Sequence, residues 1–208
     1  MLVHRSNRVE ALVDALGAVV AEPTGDPFVP ECIVVQSRPM ATWLSLRLAE
    51  QRGVWAGCEF PFPRRFVHRM FEAVLGDRAR GVGAFTAETM LWSILAELPS
   101  HLEHGAFAEL ARFVADDPRG TARFSLARRI AQVFDQYLVF RPRMLLSWQA
   151  GDEQHWQARL WRGLVEREGP DHLPGLAREF AEALHRGNFD RAGLPERVSV
   201  FGLSTLPP

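Results

Sequence analysis

Apolar residues recur with two different periods along this chain, and the order of those periods constrains the fold more than any other feature. A short apolar run between turns marks a buried strand, whereas recurrence at three and four residues marks one face of a helix. Residues 1–4 (Met-Leu-Val-His) read as a short strand, Cys32-Ile33-Val34-Val35 as a buried parallel strand, and residues 198–203 as a third strand. A helix is expected after Ser6 or Asn7, either of which can cap it; it carries Val9, Leu12, Val13, Leu16, Val19 and Val20 and is broken by Pro23, Gly25 and Pro27. Ser37 is placed to cap a second helix, Pro39 suits its first turn, and Met40, Trp43, Leu44 and Leu48 supply its apolar face. The opening of the chain is thus strand–helix–strand–helix, the start of an α/β layer.

After a loop over residues 53–63 the period is helical only. Six helices are expected, marked by Phe66 to Leu75, Met90 to Leu98, Phe107 to Val114, Leu126 to Leu138, Trp156 to Val165 and Leu176 to Leu184. The fourth is expected to stop at Arg141-Pro142, because a residue before proline is pushed out of the helical region. Few strands therefore bracket a long helical stretch. This order predicts an α/β fold with a partial parallel sheet, in which residues 1–52 and 197–208 share one domain and residues 53–196 form a helical insertion. So few short strands make a poor sheet, so the chain is read as an N-terminal piece of a larger protein whose remaining strands lie beyond residue 208.

Composition narrows the chemistry. The chain has 208 residues and a formal net charge of -1, with 24 basic residues that are all arginine. Without lysine there is no phosphate-loop lysine, no Schiff base and no lysine general base. The turn at residues 4–8 has no glycine either, and the C-terminal strand runs into Gly202, Ser204 and Thr205 without a carboxylate to hold magnesium. An NTPase-like fold here is therefore expected to have lost hydrolysis, with no cofactor in this chain. Cys32 and Cys58 form no CxxC pair, and the scattered histidines, His101 and His104 included, form no recognisable metal set. Ser37, Ser45, His68 and Asp135 form no triad supported by a nucleophile-elbow motif, so no catalytic residue is assigned. Asp116-Asp117 before Pro118 reads as a turn. No apolar run is long enough to span a membrane and the polar N-terminus is not a signal peptide, so a cytoplasmic protein is expected.

Nucleic-acid signals are stronger. Residues 61–70 place Arg64, Arg65, His68 and Arg69 on the first turns of a helix, just after Trp55, Phe60 and Phe62 in a proline-stiffened loop. Aromatic rings beside arginines suit stacking of unpaired bases with phosphate neutralisation. A solvated helix face with the loop packed on the core is the other reading of the same residues. Farther along, Gln132, Asp135 and Gln136 lie partly off the apolar stripe of their helix. Carboxylates and amides can read base edges, but on sequence alone helix capping or interhelical hydrogen bonding is the favoured reading.

Several segments, in order from first residue to last, resemble one known family: residues 3–12, 33–49, 60–67, 134–142 (Phe-Asp-Gln-Tyr-Leu-Val-Phe-Arg-Pro), 156–165 and 198–208. They are similar to the N-terminal part of the RecC family, the gamma subunits of exodeoxyribonuclease V (the RecBCD helicase–nuclease). The resemblance implies a superfamily 1 helicase-like domain that has lost ATPase function. It implies a non-catalytic subunit that lines the channel for single-stranded DNA and scans for the Chi hotspot during recombinational repair of double-strand breaks. RecB-like and RecD-like partners and single- and double-stranded DNA are implied as well, with ATP and magnesium only in the partner subunits. By position, it points to Gln36, Ser37 and Arg38 at a strand-to-helix turn, to Phe62 and His68 along the channel, and to Gln132, Asp135, Gln136 and Arg141 at a helix end. Arg64 and Arg65 join these from the basic segment itself. The other functional class is a helical protein-interaction module with no DNA role.

Overall fold

The computed structural model describes residues 1–26, 28–187 and 189–203. Strand β1 (Glu31–Val35) sits in the middle of a three-stranded parallel sheet, between β2 (Cys58–Glu59) and β3 (Val198–Phe201). Its Cys32, Ile33, Val34 and Val35 are all buried, as the uninterrupted apolar run predicted. Helices α1 (Val9–Ala21) and α2 (Arg38–Arg52) cover one face, where Val13, Leu16, Val20, Leu44 and Leu48 pack on Ile33, Val35 and Phe201. On the other face Arg69, in helix α3 (Pro63–Leu75), donates to the Cys32 thiol at 3.3 Å. The chain divides into two compact units, and these elements belong to the first, Met1–Ala73 with the described part of Asp190–Leu206.

The second unit, Val74–Phe189, is helical. It contains α4 (Ala87–Leu102), α5 (Ala108–Val114), α6 (Thr121–Phe140), α7 (Pro142–Ala150), α8 (Trp156–Glu168) and α9 (Leu173–Arg186), with a 3-10 segment over Gly76–Phe85. Its core is aromatic: Trp161 meets Phe134 edge-on at 5.7 Å and Phe85 at 5.6 Å, and Trp148 meets Phe134 at 6.3 Å. Buried His172 closes this core, its ring 5.4 Å from Phe85 and 5.1 Å from Trp161.

Four local expectations are corrected. Residues 1–4 form no strand; Met1, Leu2 and Val3 are exposed, and an apolar run makes a strand only where a ladder partner takes its N–H and C=O groups. Neither Ser6 nor Asn7 caps α1, whose cap position is Arg8; Ser6 Oγ accepts from the Arg8 N–H at 3.0 Å, two residues too early. The stretch over residues 53–63 is not loop throughout, because β2 lies in it. Two residues are too short to show a period, and β2 exists through its pairing: Glu31 N–H donates to Gly57 O at 2.8 Å and Val35 N–H to Pro61 O at 3.1 Å. Gly57 enters this pairing at φ 69°, a conformation that favours glycine. Finally, Pro142 stops α6 at Phe140 as expected, but the same proline opens α7, which the apolar period did not reveal. Asp117 does sit in a turn; its carboxylate accepts from the N–H groups of Thr121 and Arg123, both at 2.9 Å, at the start of α6. Pro27, Ser204, Thr205 and the remaining positions to 208 lie outside the described residues, so the acid-free end expected of the last strand is described only as far as Leu203.

Candidate nucleic-acid interface

Parallel strands deliver their following turns to one edge of a sheet, and ligands of such folds bind beyond the carboxyl ends of the strands. At this edge β1 is followed by the exposed Gln36. The next residue, Ser37, is the N-cap of α2, and its hydroxyl accepts from the Met40 N–H at 3.3 Å. That cap fixes the first turn of α2 and holds Arg38 exposed at its start. The turn after β2 is Phe60-Pro61-Phe62-Pro63. Its prolines limit the backbone to few conformations, Pro61 is buried, and the Phe62 ring is left 39% exposed. The Phe62 carbonyl accepts from the Phe66 N–H at 2.9 Å, so α3 winds directly out of the turn.

An open cleft of about 320 Å³ results, lined by Arg38, Ala41, Glu59, Phe60, Phe62, Arg65 and Arg69 among others. The basic residues of α3 are sorted by helical spacing. Arg65 and Arg69, four apart, line the cleft. Arg64 is exposed outside the lining, and His68 faces Glu72 at 3.5 Å instead. Arg69 is committed to Glu59 at 2.5 Å and to Cys32. Burial, helped by the negative charge of Glu59, pushes the Cys32 thiol up to about 11, so it stays protonated and unreactive. Arg38 and Arg65 make no ion pair with a described residue. The cleft lining therefore combines two guanidinium groups that make no ion pair with a described residue and one exposed ring.

The other predicted residues lie on the helical unit. Gln132 and Gln136 are exposed one turn apart on α6, Asp135 is half-buried beside them and engaged within the protein, and Arg141 is exposed at the break before α7. The break holds Arg141 at φ -134° and ψ 44°, with its N–H donating to Tyr137 O at 2.9 Å. Of the predicted set the cleft gathers Arg38, Phe62 and Arg65 but not Gln36, Ser37, Arg64 or His68, while Gln132, Asp135, Gln136 and Arg141 follow one another along α6 and its end. Among the described residues no three His, Cys, Asp or Glu side chains gather as a metal site, and no helix is long and apolar enough to cross a membrane.

Residues 1–208 match the family model described as the RecC N-terminal domain. The chain belongs to the RecC family. It is 37% identical over 219 residues to the RecBCD enzyme subunit RecC of Escherichia coli strain K12, covering 99% of this chain and 19% of that protein. It is 28% identical over 239 residues to the subunit of the same name from Haemophilus influenzae, and 30% identical over 215 residues to that of Mycolicibacterium smegmatis. The chain spans about a fifth of the length of these curated relatives.

Within this RecC-family chain, sequence reasoning missed Glu59 and the role of Arg69. An acid in a two-residue strand gives no periodic signal. Arg69 was visible as one of a basic cluster, but only its ion pair separates it from Arg65.

Proposed function

We propose that this chain is the non-catalytic, DNA-contacting N-terminal part of a RecC subunit in a RecBCD-type exodeoxyribonuclease V. In this reading a degenerate helicase-like domain lines the path of single-stranded DNA. It scans that strand for a Chi-like hotspot during double-strand break repair in the cytoplasm. RecB-like and RecD-like subunits supply ATP hydrolysis, magnesium and strand cleavage. The observation that carries the reading is the cleft at the carboxyl edge of the sheet, whose lining holds Arg38 and Arg65, unpaired with any described acid, together with the exposed Phe62. Arginines neutralise backbone phosphates and an aromatic ring stacks a base, the pairing used by single-strand binders. Gln36, Gln132, Asp135 and Gln136 present groups that discriminate bases by hydrogen bonding, and Arg141 presents a further cation to the backbone. Ser37 acts indirectly, by holding the turn.

The test is single-strand binding and hotspot response of the assembled complex. Arg38→Ala and Arg65→Ala are each expected to lower the salt slope of binding by about 0.7. Phe62→Ala is expected to cost about 1–3 kcal/mol. Gln36→Ala is expected to alter sequence choice more than affinity. Wild-type behaviour of the Arg38, Arg65 and Phe62 variants would overturn the reading. A second reading, a protein-interaction module, draws on Trp92 and Phe113, which are 63% and 62% exposed on the helical unit; loss of complex assembly without loss of DNA binding in Trp92→Ala would favour it.

A further inference from the structure

The helical unit carries a second basic cleft, apart from every residue discussed above as DNA-binding. It has a volume of about 300 Å³ and lies between the end of α4 and the first turns of α8. His101 and His104 line one side, and Arg159 and Arg162, three apart on α8, line the other. Gly163 keeps the space open, since a Cβ there would sit 3.1 Å from His101 Nε2.

The donors are held in place by bonds that use only part of each group. Arg159 spends Nε on the Gln154 carbonyl at 2.9 Å, leaving both terminal nitrogens. Arg162 spends Nη1 on the carbonyls of Trp148 and Glu153, each at 2.8 Å, leaving Nη2. His104 Nδ1 accepts from the Ala106 N–H at 3.1 Å, which puts its proton on Nε2 and makes that atom a donor. The His101 ring stacks on Phe107 at 5.1 Å. Glu166 is the one carboxylate in the lining, against two permanent guanidinium charges; nearby Glu97 is paired with Arg167 at 3.1 Å and lies 3.8 Å from His101.

Terminal guanidinium nitrogens anchored through their other nitrogens, with an imidazole N–H opposite, match the tetrahedral oxygens of a phosphate. We propose that this cleft binds a backbone phosphate of a nucleic-acid strand. An acidic peptide would also meet the charge, but Phe107, the aromatic residue of the lining, is fully buried and gives a peptide no apolar anchor of the kind that carries binding energy at protein interfaces. The proposal goes beyond the reading of the sheet-edge cleft and does not depend on it.

The experiment uses the full chain. Inorganic phosphate is titrated while the His101 and His104 ring resonances are followed by NMR, and a short labelled oligothymidylate is bound across a range of salt. Saturable movement of both histidine signals is expected, absent in Arg159→Gln, together with a salt slope for oligothymidylate lowered by about 0.7 in that variant. Glu166→Gln removes an exposed acid and is expected to tighten phosphate binding, which guards against a variant that merely unfolds. Histidine signals that stay still, that move equally in Arg159→Gln, or that respond to oligoglutamate and not to oligothymidylate would each overturn the proposal.

Discussion

The two compact units bury their interiors by different routes. In the helical unit the core is assembled from side chains that each helix already aligns on one face, and large aromatic rings meet at its centre. In the sheet unit one strand does most of the organising, and its neighbours come from distant parts of the chain. Arg197 at the start of β3 reaches back 166 positions to the Glu31 carboxylate at the start of β1, and it also donates to the carbonyls of Val19 at 2.8 Å and Glu22 at 2.9 Å. The helical unit therefore rests on the volume of its core, and the sheet unit joins a smaller apolar core to a few long-range polar and ladder contacts.

That contrast breaks or sharpens under mutation. The largest effect is expected from Trp161→Ala, which empties the centre of the aromatic cluster at a side chain with 0% exposure. A loss of about 3–5 kcal/mol is expected from the cavity and lost contacts, read as a shift in the urea midpoint of the helical signal. A loss below that of an ordinary surface change would show that the core is not the support of this unit.

Next comes acid. His172 is fully buried; its Nδ1 accepts from the Gly175 N–H at 3.1 Å, so Nε2 carries the proton toward Gln149 Oε1 at 2.7 Å. Burial, reinforced by Arg178, lowers its pKa from 6.5 to about 4. Because the folded-state value is depressed, the unfolded chain binds the proton first as pH falls. The stabilisation is present above about 6.5 and is lost progressively toward about 4. The change amounts to about 3 kcal/mol, measurable as a pH-dependent urea midpoint. His172→Gln should flatten that dependence, whatever it costs in stability at neutral pH.

Arg197→Met tests the sheet unit. It leaves the largely buried Glu31 carboxylate and two carbonyls without their donor, and about 2 kcal/mol is expected, with the loss read in urea unfolding. Rescue by Glu31→Gln in the same chain would trace the cost to the stranded carboxylate. The smallest effect is expected at helix starts. Ser37→Ala removes a cap and should cost about 1 kcal/mol, whereas Ser6→Ala, whose exposed hydroxyl bonds two residues too early to cap α1, should be close to neutral.

Much of this was legible beforehand for local reasons. The helical faces and the Pro142 stop could be read because side-chain spacing and proline sterics act within one or two turns. The Ser37 cap belongs with them, since it needs only a hydroxyl three residues before the N–H that it accepts. Ser6 shows the limit of that rule, because where α1 begins is decided by the packing of Val13 and Leu16 on the sheet and not by which serine comes first. The candidate site was half legible. Arg38, Phe62 and Arg65 stood out by type, and helical spacing separates Arg65 and Arg69 from Arg64 and His68, yet it does not say which pair faces the cleft.

The amino-acid sequence alone determined the helices other than α7, the central buried strand and the absence of lysine chemistry, because each depends on residue type or on neighbours a few positions away. Only the tertiary structure decided that β2 exists, that residues 1–4 join no sheet, that Arg69 is spent on Glu59 while Arg65 is not, and that Arg159 and Arg162 share a cleft with two histidines. Ladder pairing and charge pairing are set by which distant groups fold into reach of one another, and a periodicity carries no record of distance across the fold.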